Sequence, residues 1–269
     1  MKPAARSRPV SAVPAGSVAL VGSGEYLQVM VEVERGLLAG RPPRFVQLPT
    51  AAAPEGPESL ARWTSLGLAQ AQRLGVAAVP VLVRDRDDAD DPALAALVAG
   101  AGLVYLSGGN PQYCARTLRG TLVWNAVENA WRNGAALAGC SAGAMALTSW
   151  VPDLRHPLRE ADPGLAILPL LRVIPHFDRI SGWMPELVTR YLAHSPDDVR
   201  VVGIDEDTAL VWAEGKWTVQ GSHSVWLLGA DGRQAYQAGQ SLDLPPPPAA
   251  GPSGRQAGED RAGAGQAQP

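Results

Sequence analysis

Ala135-Ala-Leu-Ala-Gly-Cys-Ser-Ala-Gly-Ala-Met145 is the stretch that decides the fold. A short apolar run, Ala135 to Ala138, reads as a strand and leads directly into small residues centred on Ser141. Glycines stand two positions before and two after that serine, at Gly139 and Gly143. Small residues between a strand and a helix suit a sharp turn that lifts one side chain clear of the sheet, because a bulkier neighbour would collide with the adjoining strand or helix. The same pattern also serves a helix packed tightly on a sheet with no chemistry attached. Before it, Leu122, Ala126, Val127 and Ala130 recur at helical spacing, and Asn133-Gly134 supplies a stop.

The grammar of strand, turn and helix recurs outward from this point. Val18 to Val21 ends in Gly22-Ser23-Gly24, Arg44 to Leu48 in Pro49-Thr50, Val76 to Val83 in a charged loop, and Leu103 to Leu106 in Ser107-Gly108-Gly109-Asn110. Helical stretches lie between them at Tyr26 to Leu38, Pro57 to Leu74, Pro92 to Ala99 and Pro111 to Leu118. Alternation of this kind predicts right-handed βαβ crossovers and a mostly parallel α/β sheet with helices on both faces. Later come the apolar run Leu171 to Ile174, a helix over Trp183 to Ala193, and strands at Val201 to Ile204, Ala209 to Ala213, Trp217 to Gln220 and Ser224 to Leu228. The last third therefore reads as an antiparallel flank. The division expected is a loose leader over 1–16, one α/β domain over 17–243, and a disordered Pro, Gly and Ala-rich tail over 244–269.

With 23 basic and 26 acidic residues the net charge is -3, and no basic run tracks a phosphate backbone, so nucleic acid is not an expected partner. No uninterrupted apolar stretch of about 18 residues predicts a membrane span. Two cysteines, Cys114 and Cys140, fit neither a disulfide framework nor zinc-ligand spacing, which suits a reducing, cytoplasmic setting. No cofactor or metal is expected. Trp124 and Trp131 are candidates for an interface between copies, as in a homodimer, and equally for packing between layers.

Ligands of open α/β sheets gather at the carboxyl ends of the strands, where Gly109, Asn110 and Ser141 all fall. A serine on such a turn becomes a nucleophile if a base and oxyanion donors flank it. Cys140 is the rival nucleophile, but the positions two away from it are Ala138 and Ala142, whereas Ser141 has the glycines. Of the four histidines, His176 follows an apolar run whose end lies on the same rim, while His156, His194 and His223 sit in a polar loop, near a helix end and at a strand start. The acid that would fix the imidazole tautomer has several candidates: Asp178, Glu206, Asp153 and Glu160. Ala142 and Gly109 are the natural backbone donors for an oxyanion.

Four ordered segments resemble the S51 peptidases, the family of aspartyl dipeptidase and cyanophycinase. They are Leu106-Ser-Gly-Gly-Asn110, Ala138-Gly-Cys-Ser-Ala-Gly-Ala-Met145, Ile174-Pro-His-Phe177 and Gly203-Ile-Asp-Glu206. The resemblance runs from about Val18 to Leu228 and implies a fold similar to class I glutamine amidotransferases. It implies Ser141 as nucleophile, His176 as base and Glu206 as the orienting acid, with Gly109 and Ala142 as oxyanion donors. Amidotransferases of the same fold use a cysteine and an acid two residues after the histidine, which here is Asp178. Cyanophycinases carry several arginines after the histidine, whereas this chain has Arg179 followed by Ile180-Ser-Gly-Trp183. Arg179 is a candidate clamp for a substrate carboxylate. The reaction expected is serine-type hydrolysis of a peptide or amide bond in a small, aspartyl or acidic substrate. The alternatives are a non-catalytic small-ligand-binding protein of this fold and an amidase or esterase acting on non-peptide substrates.

Overall fold

Five short segments form the centre of the molecule, four of them buried almost throughout and the edge strand β3 part-exposed: β1 (Val18–Val21), β2 (Arg44–Leu48), β3 (Ala77–Pro80), β4 (Leu103–Leu106) and β5 (Ala136–Cys140). A computed structural model of the chain describes residues 15–153, 159–183, 185–230 and 232–249. The five strands pair in parallel in the order β1-β5-β4-β2-β3. Side chains alternate across a strand, so each strand feeds two cores. Val18, Leu20, Val46, Leu48, Val104, Leu106 and Leu137 face one layer, together with Leu118, Val127 and Trp131. Ala19, Val21, Phe45, Tyr105, Ala138 and Cys140 face the other, together with Val33, Leu37 and Ala71.

The covering helices are α1 (Val31–Leu38), α2 (Pro57–Leu74), α3 (Arg86–Ala89), α4 (Pro92–Ala96), α5 (Pro111–Leu118), α6 (Leu122–Arg132) and α7 (Ala142–Ala146). Their starts follow ordinary capping chemistry. Asn110 and Thr121 accept from the N–H groups of Tyr113 and Trp124, and Pro111 occupies the first turn, where a missing N–H costs nothing. The helix expected from Tyr26 begins only at Val31, because Tyr26 is held at φ 65° and a 3-10 turn over Gln28–Met30 intervenes. A carboxyl is sealed between α1 and α2. Glu34 is 1% exposed, one of its oxygens accepts from Gln70 Nε2, and the other has no partner.

Beyond α7 come a two-stranded ribbon, β6 (Trp150–Val151) and β7 (Asp162–Pro163), and then β8 (Leu171–Ile174). Helices α8 (Phe177–Trp183) and α9 (Pro185–Ala193) lead to β9 (Arg200–Ile204). The chain closes with β10 (Thr208–Ala213), β11 (Lys216–Gly221), β12 (Ser224–Gly229), β13 (Gly232–Gln237) and β14 (Ser241–Leu242). The antiparallel flank is divided between two sheets. β10, β11 and β14 extend the main sheet beyond β1 to eight strands, while β8, β9, β12 and β13 form a separate four-stranded sheet in which β8 and β9 are parallel. Met145 of α7 packs with Ile174, Phe177, Tyr191, Val201 and Leu228, which docks the second sheet behind the serine turn.

Trp124 and Trp131 are each 3% exposed and belong to the core, with Trp131 Nε1 donating to the Gly16 carbonyl. They offer no surface for another copy. At the other end, Leu244 is buried and Trp217 Nε1 donates to the Pro245 carbonyl at 3.0 Å, so packed chain continues past position 243. Most of the tail expected over 244–269, and most of the leader, lie outside the described residues. Among the described residues no helix is long and apolar enough to cross a membrane.

Candidate active site

Strand β5 delivers the chain to Ser141, whose own N–H still donates to the Val21 carbonyl of β1 at 2.9 Å. Ser141 then turns sharply at φ 49°, ψ −109°, and α7 begins at the next residue. Both flanking glycines are required by contact. A Cβ on Gly139 would lie 2.6 Å from the Gly143 backbone, and one on Gly143 would lie 2.3 Å from the Leu106 carbonyl oxygen. His176, between β8 and α8, also sits at φ 49°. Left-handed backbone at a residue with a side chain costs roughly 1–3 kcal/mol and persists where the surrounding fold enforces it, commonly at functional sites.

The two strained residues meet. His176 Nε2 lies 3.0 Å from Ser141 Oγ, and His176 Nδ1 lies 2.9 Å from Glu206 Oε1. A neutral imidazole that donates from Nδ1 to the carboxylate leaves the Nε2 lone pair to accept the serine proton. Glu206 follows β9 and is itself fixed. Its N–H donates to Asp178 Oδ1 at 3.0 Å, Thr208 Oγ1 donates to its carbonyl at 3.0 Å, and Arg179 Nε donates to its Oε2 at 3.3 Å. The His176 hydrogen bond, with help from Arg179, holds the Glu206 carboxyl below its ordinary range.

Asp178 does not share a strand face with His176, because the segment after the histidine is helix α8. It serves Glu206 instead. Arg179 bridges the same two acids, at 3.3 Å to Glu206 and 3.7 Å to Asp178, with its side chain 61% exposed at the rim. Cys140 points away from the serine, its Sγ donating to Glu25 Oε2 at 2.8 Å, and burial pushes its thiol well up. His194 and His223 are exposed, and His156 lies outside the described residues. Asp153 pairs with Arg159 at 3.9 Å, and Glu160 is exposed.

Ala142 follows the serine in sequence, and Gly109 follows Gly108, the turn residue that lies against Ser141. Among the described residues the N–H of neither donates to a protein acceptor, as expected for Ala142 at the start of a helix. Gly109 adopts φ 135° against the Ala51 carbonyl, a conformation in which a Cβ would lie 2.3 Å from that oxygen. Asn110 is held twice, its N–H donating to Ala51 at 2.7 Å and its Oδ1 capping α5. A cavity of about 190 Å³ opens beside these residues, lined by Glu55, Gly109, Asn110, Gln112 and Asp153 between prolines. Among the described residues no group of His, Cys, Asp and Glu gathers closely enough to hold a metal ion.

Two residues near the centre escaped the sequence reading. Glu25 and Tyr26, just after β1, reach the turn after β4, and the only sequence signal was an acid at the carboxyl end of a strand. Asp205, beside Glu206, is structural: its carboxylate accepts from Ser224 N and Trp226 Nε1 and ties β9 to β12.

Residues 17–220 match the model of Peptidase family S51. A peptidase from an acI-B1 Actinobacterium, known from its crystal structure, is similar at 41% identity and TM-score 0.80, over 86% of this chain and 98% of that one. A putative Peptidase E protein from Listeria monocytogenes EGD-e shares the fold at TM-score 0.55 and 15% identity, over 77% and 99% of the two chains. Among curated proteins, none matches the chain significantly.

Proposed function

Because the chain belongs to peptidase family S51, we propose that it hydrolyses a peptide or amide bond through a serine acyl-enzyme. The observation that carries this reading is the unbroken chain from Ser141 Oγ through His176 to Glu206, with contacts of 3.0 and 2.9 Å. Ser141 Oγ attacks the carbonyl carbon while His176 Nε2 takes its proton. The imidazolium so formed is stabilised by Glu206, and the oxyanion is received by the N–H groups of Gly109 and Ala142. His176 then gives the proton to the leaving amine, the C–N bond breaks, and water attacks the ester with His176 again as base.

The substrate proposed is a small peptide with an aspartyl or acidic residue. The cavity of about 190 Å³ beside Gly109 admits a short side chain, and its Glu55 and Asp153 suit a free α-ammonium group. Arg179, whose Nε faces Glu206 and Asp178 while its side chain is largely exposed at the rim, is the cation proposed to meet a substrate carboxylate. The test is hydrolysis of a dipeptide panel, including N-terminal Asp and β-aspartyl peptides, against simple esters and amides, by wild type and Ser141→Ala. Cleavage of aspartyl dipeptides that vanishes in the variant is the expected result. A preference for esters would sink the peptide assignment, and absence of both turnover and fluorophosphonate labelling at Ser141 would leave a ligand-binding protein.

A further inference from the structure

We propose that the consecutive residues Glu25 and Tyr26 form a clamp that positions the Ser107-Gly108-Gly109 turn, so that Gly109 presents its N–H to the reacting carbonyl. The role of Gly109 rests on the serine-hydrolase reading above, whereas the clamp itself rests on geometry. In the sheet, β5 lies between β1 and β4. The residues following β1 therefore have to reach across the end of β5, beneath Ser141, to touch the turn that follows β4.

Glu25 does so from a site only 8% exposed. Its Oε1 accepts from the Gly108 N–H at 2.9 Å, and its Oε2 accepts from Cys140 Sγ at 2.8 Å. One carboxylate thus joins the turn to the residue preceding the serine. Tyr26 OH lies 2.7 Å from Ser107 Oγ, and the tyrosine ring is fixed among Phe45, Trp63 and Tyr105. Consecutive side chains of an extended segment point apart. The left-handed φ of 65° at Tyr26 breaks that alternation and lets both reach neighbouring residues of one turn.

The fit leaves little freedom. A Cβ on Gly108 would lie 2.7 Å from Glu25 Oε1 and 3.6 Å from Ser141 Cβ, so the turn is held between the carboxylate and the serine. With the Gly108 N–H engaged inward, the next N–H, that of Gly109, is the one left for a ligand. Glu25 touches no reacting atom in this arrangement and acts as a positioning residue. Oxyanion donors contribute only if their direction is set before the charge develops.

Two measurements on the full chain test the clamp. In kinetics, Glu25→Ala is expected to lower kcat by about 10²-fold with KM nearly constant, as for loss of an oxyanion donor, and to weaken a peptide-aldehyde inhibitor in parallel. Glu25→Gln, which keeps an oxygen for Gly108 N–H, recovers turnover to within about threefold. In amide exchange, the Gly108 N–H, which loses its acceptor, becomes at least about tenfold less protected in Glu25→Ala, while the β4 amides keep their protection. Unchanged exchange at the turn, or an equal kcat in Glu25→Ala and wild type, would overturn the proposal. An inactive wild type would instead defeat the hydrolase reading, and the exchange data would still decide the clamp.

Discussion

Ser141 and His176 are both held at φ 49°, and the third partner is equally constrained, since the Glu206 backbone is bonded to Asp178 and Thr208. Replacing Glu206 by Gln is expected to lower kcat/KM by about 10²–10⁴-fold, because the amide no longer enforces the productive tautomer. Asp178→Asn keeps the oxygen that receives the Glu206 N–H and should stay within a fewfold of wild type, whereas Asp178→Ala, which leaves that N–H unpaired, should lose about tenfold or more. Steady-state kinetics on one dipeptide checks all three. A large loss in Asp178→Asn with a silent Glu206→Gln would exchange the two roles. Ser141 and His176 were legible because each stands just past the end of an apolar strand, with the serine marked by its glycines. From the residues alone Glu206 was one acid among several, since proximity over 30 residues of sequence leaves no local trace, and only the resemblance of Gly203-Ile-Asp-Glu206 to the S51 peptidases singled it out. Glu25 was missed for the same reason, its partners lying 83 and 115 residues away and its place at the end of a strand being a weak signal alone.

The elements forming the parallel half were readable because most of their strands are buried apolar runs that end in turn chemistry. A tight junction among them is the crossing of α7 over β4. Gly143→Ala would place a methyl 2.3 Å from the Leu106 carbonyl oxygen, so α7 has to move and carry Ser141 with it. Overpacking of this kind typically costs roughly 1–3 kcal/mol, and thermal unfolding should show a lowered Tm together with a turnover loss larger than the stability change explains. An active, fully stable Gly143→Ala would contradict the steric account. Of the later strands, β9 to β12 were individually recognisable, whereas the polar, exposed β13 and the two-residue β6, β7 and β14 carried no apolar run to read, and the distribution over two sheets was not legible at all. Period-two alternation shows which face of a strand is apolar but says nothing of which neighbour it pairs with, and β9 and β10 join different sheets after a turn of only Asp205 to Asp207.

At the scale of the molecule, the buried Glu34 couples stability to pH. Burial raises its carboxyl from 4.5 to about 7. A folded state that binds the proton more tightly than the unfolded chain is favoured at low pH. This contribution is complete below about pH 4.5 and is lost as pH rises through 7. Glu34→Gln should therefore be more stable than wild type by an amount that grows between pH 5 and 8, read as the difference in urea midpoints, and a constant difference would show that the carboxyl does not titrate there. Net charge and composition gave no hint of this, because burial of one carboxyl depends on how α1 meets α2. A wider consequence follows from the docking of the second sheet on α7. Ser141 is carried by the main sheet and His176 by the other, so the 3.0 Å contact between them is an alignment condition on the whole tertiary structure. Turnover is thus a gauge of registration between two sheets. In urea it should vanish at a lower concentration than the far-ultraviolet signal, as the sheets slip before either strand set melts. Coincident curves would mean that the sheets give way together.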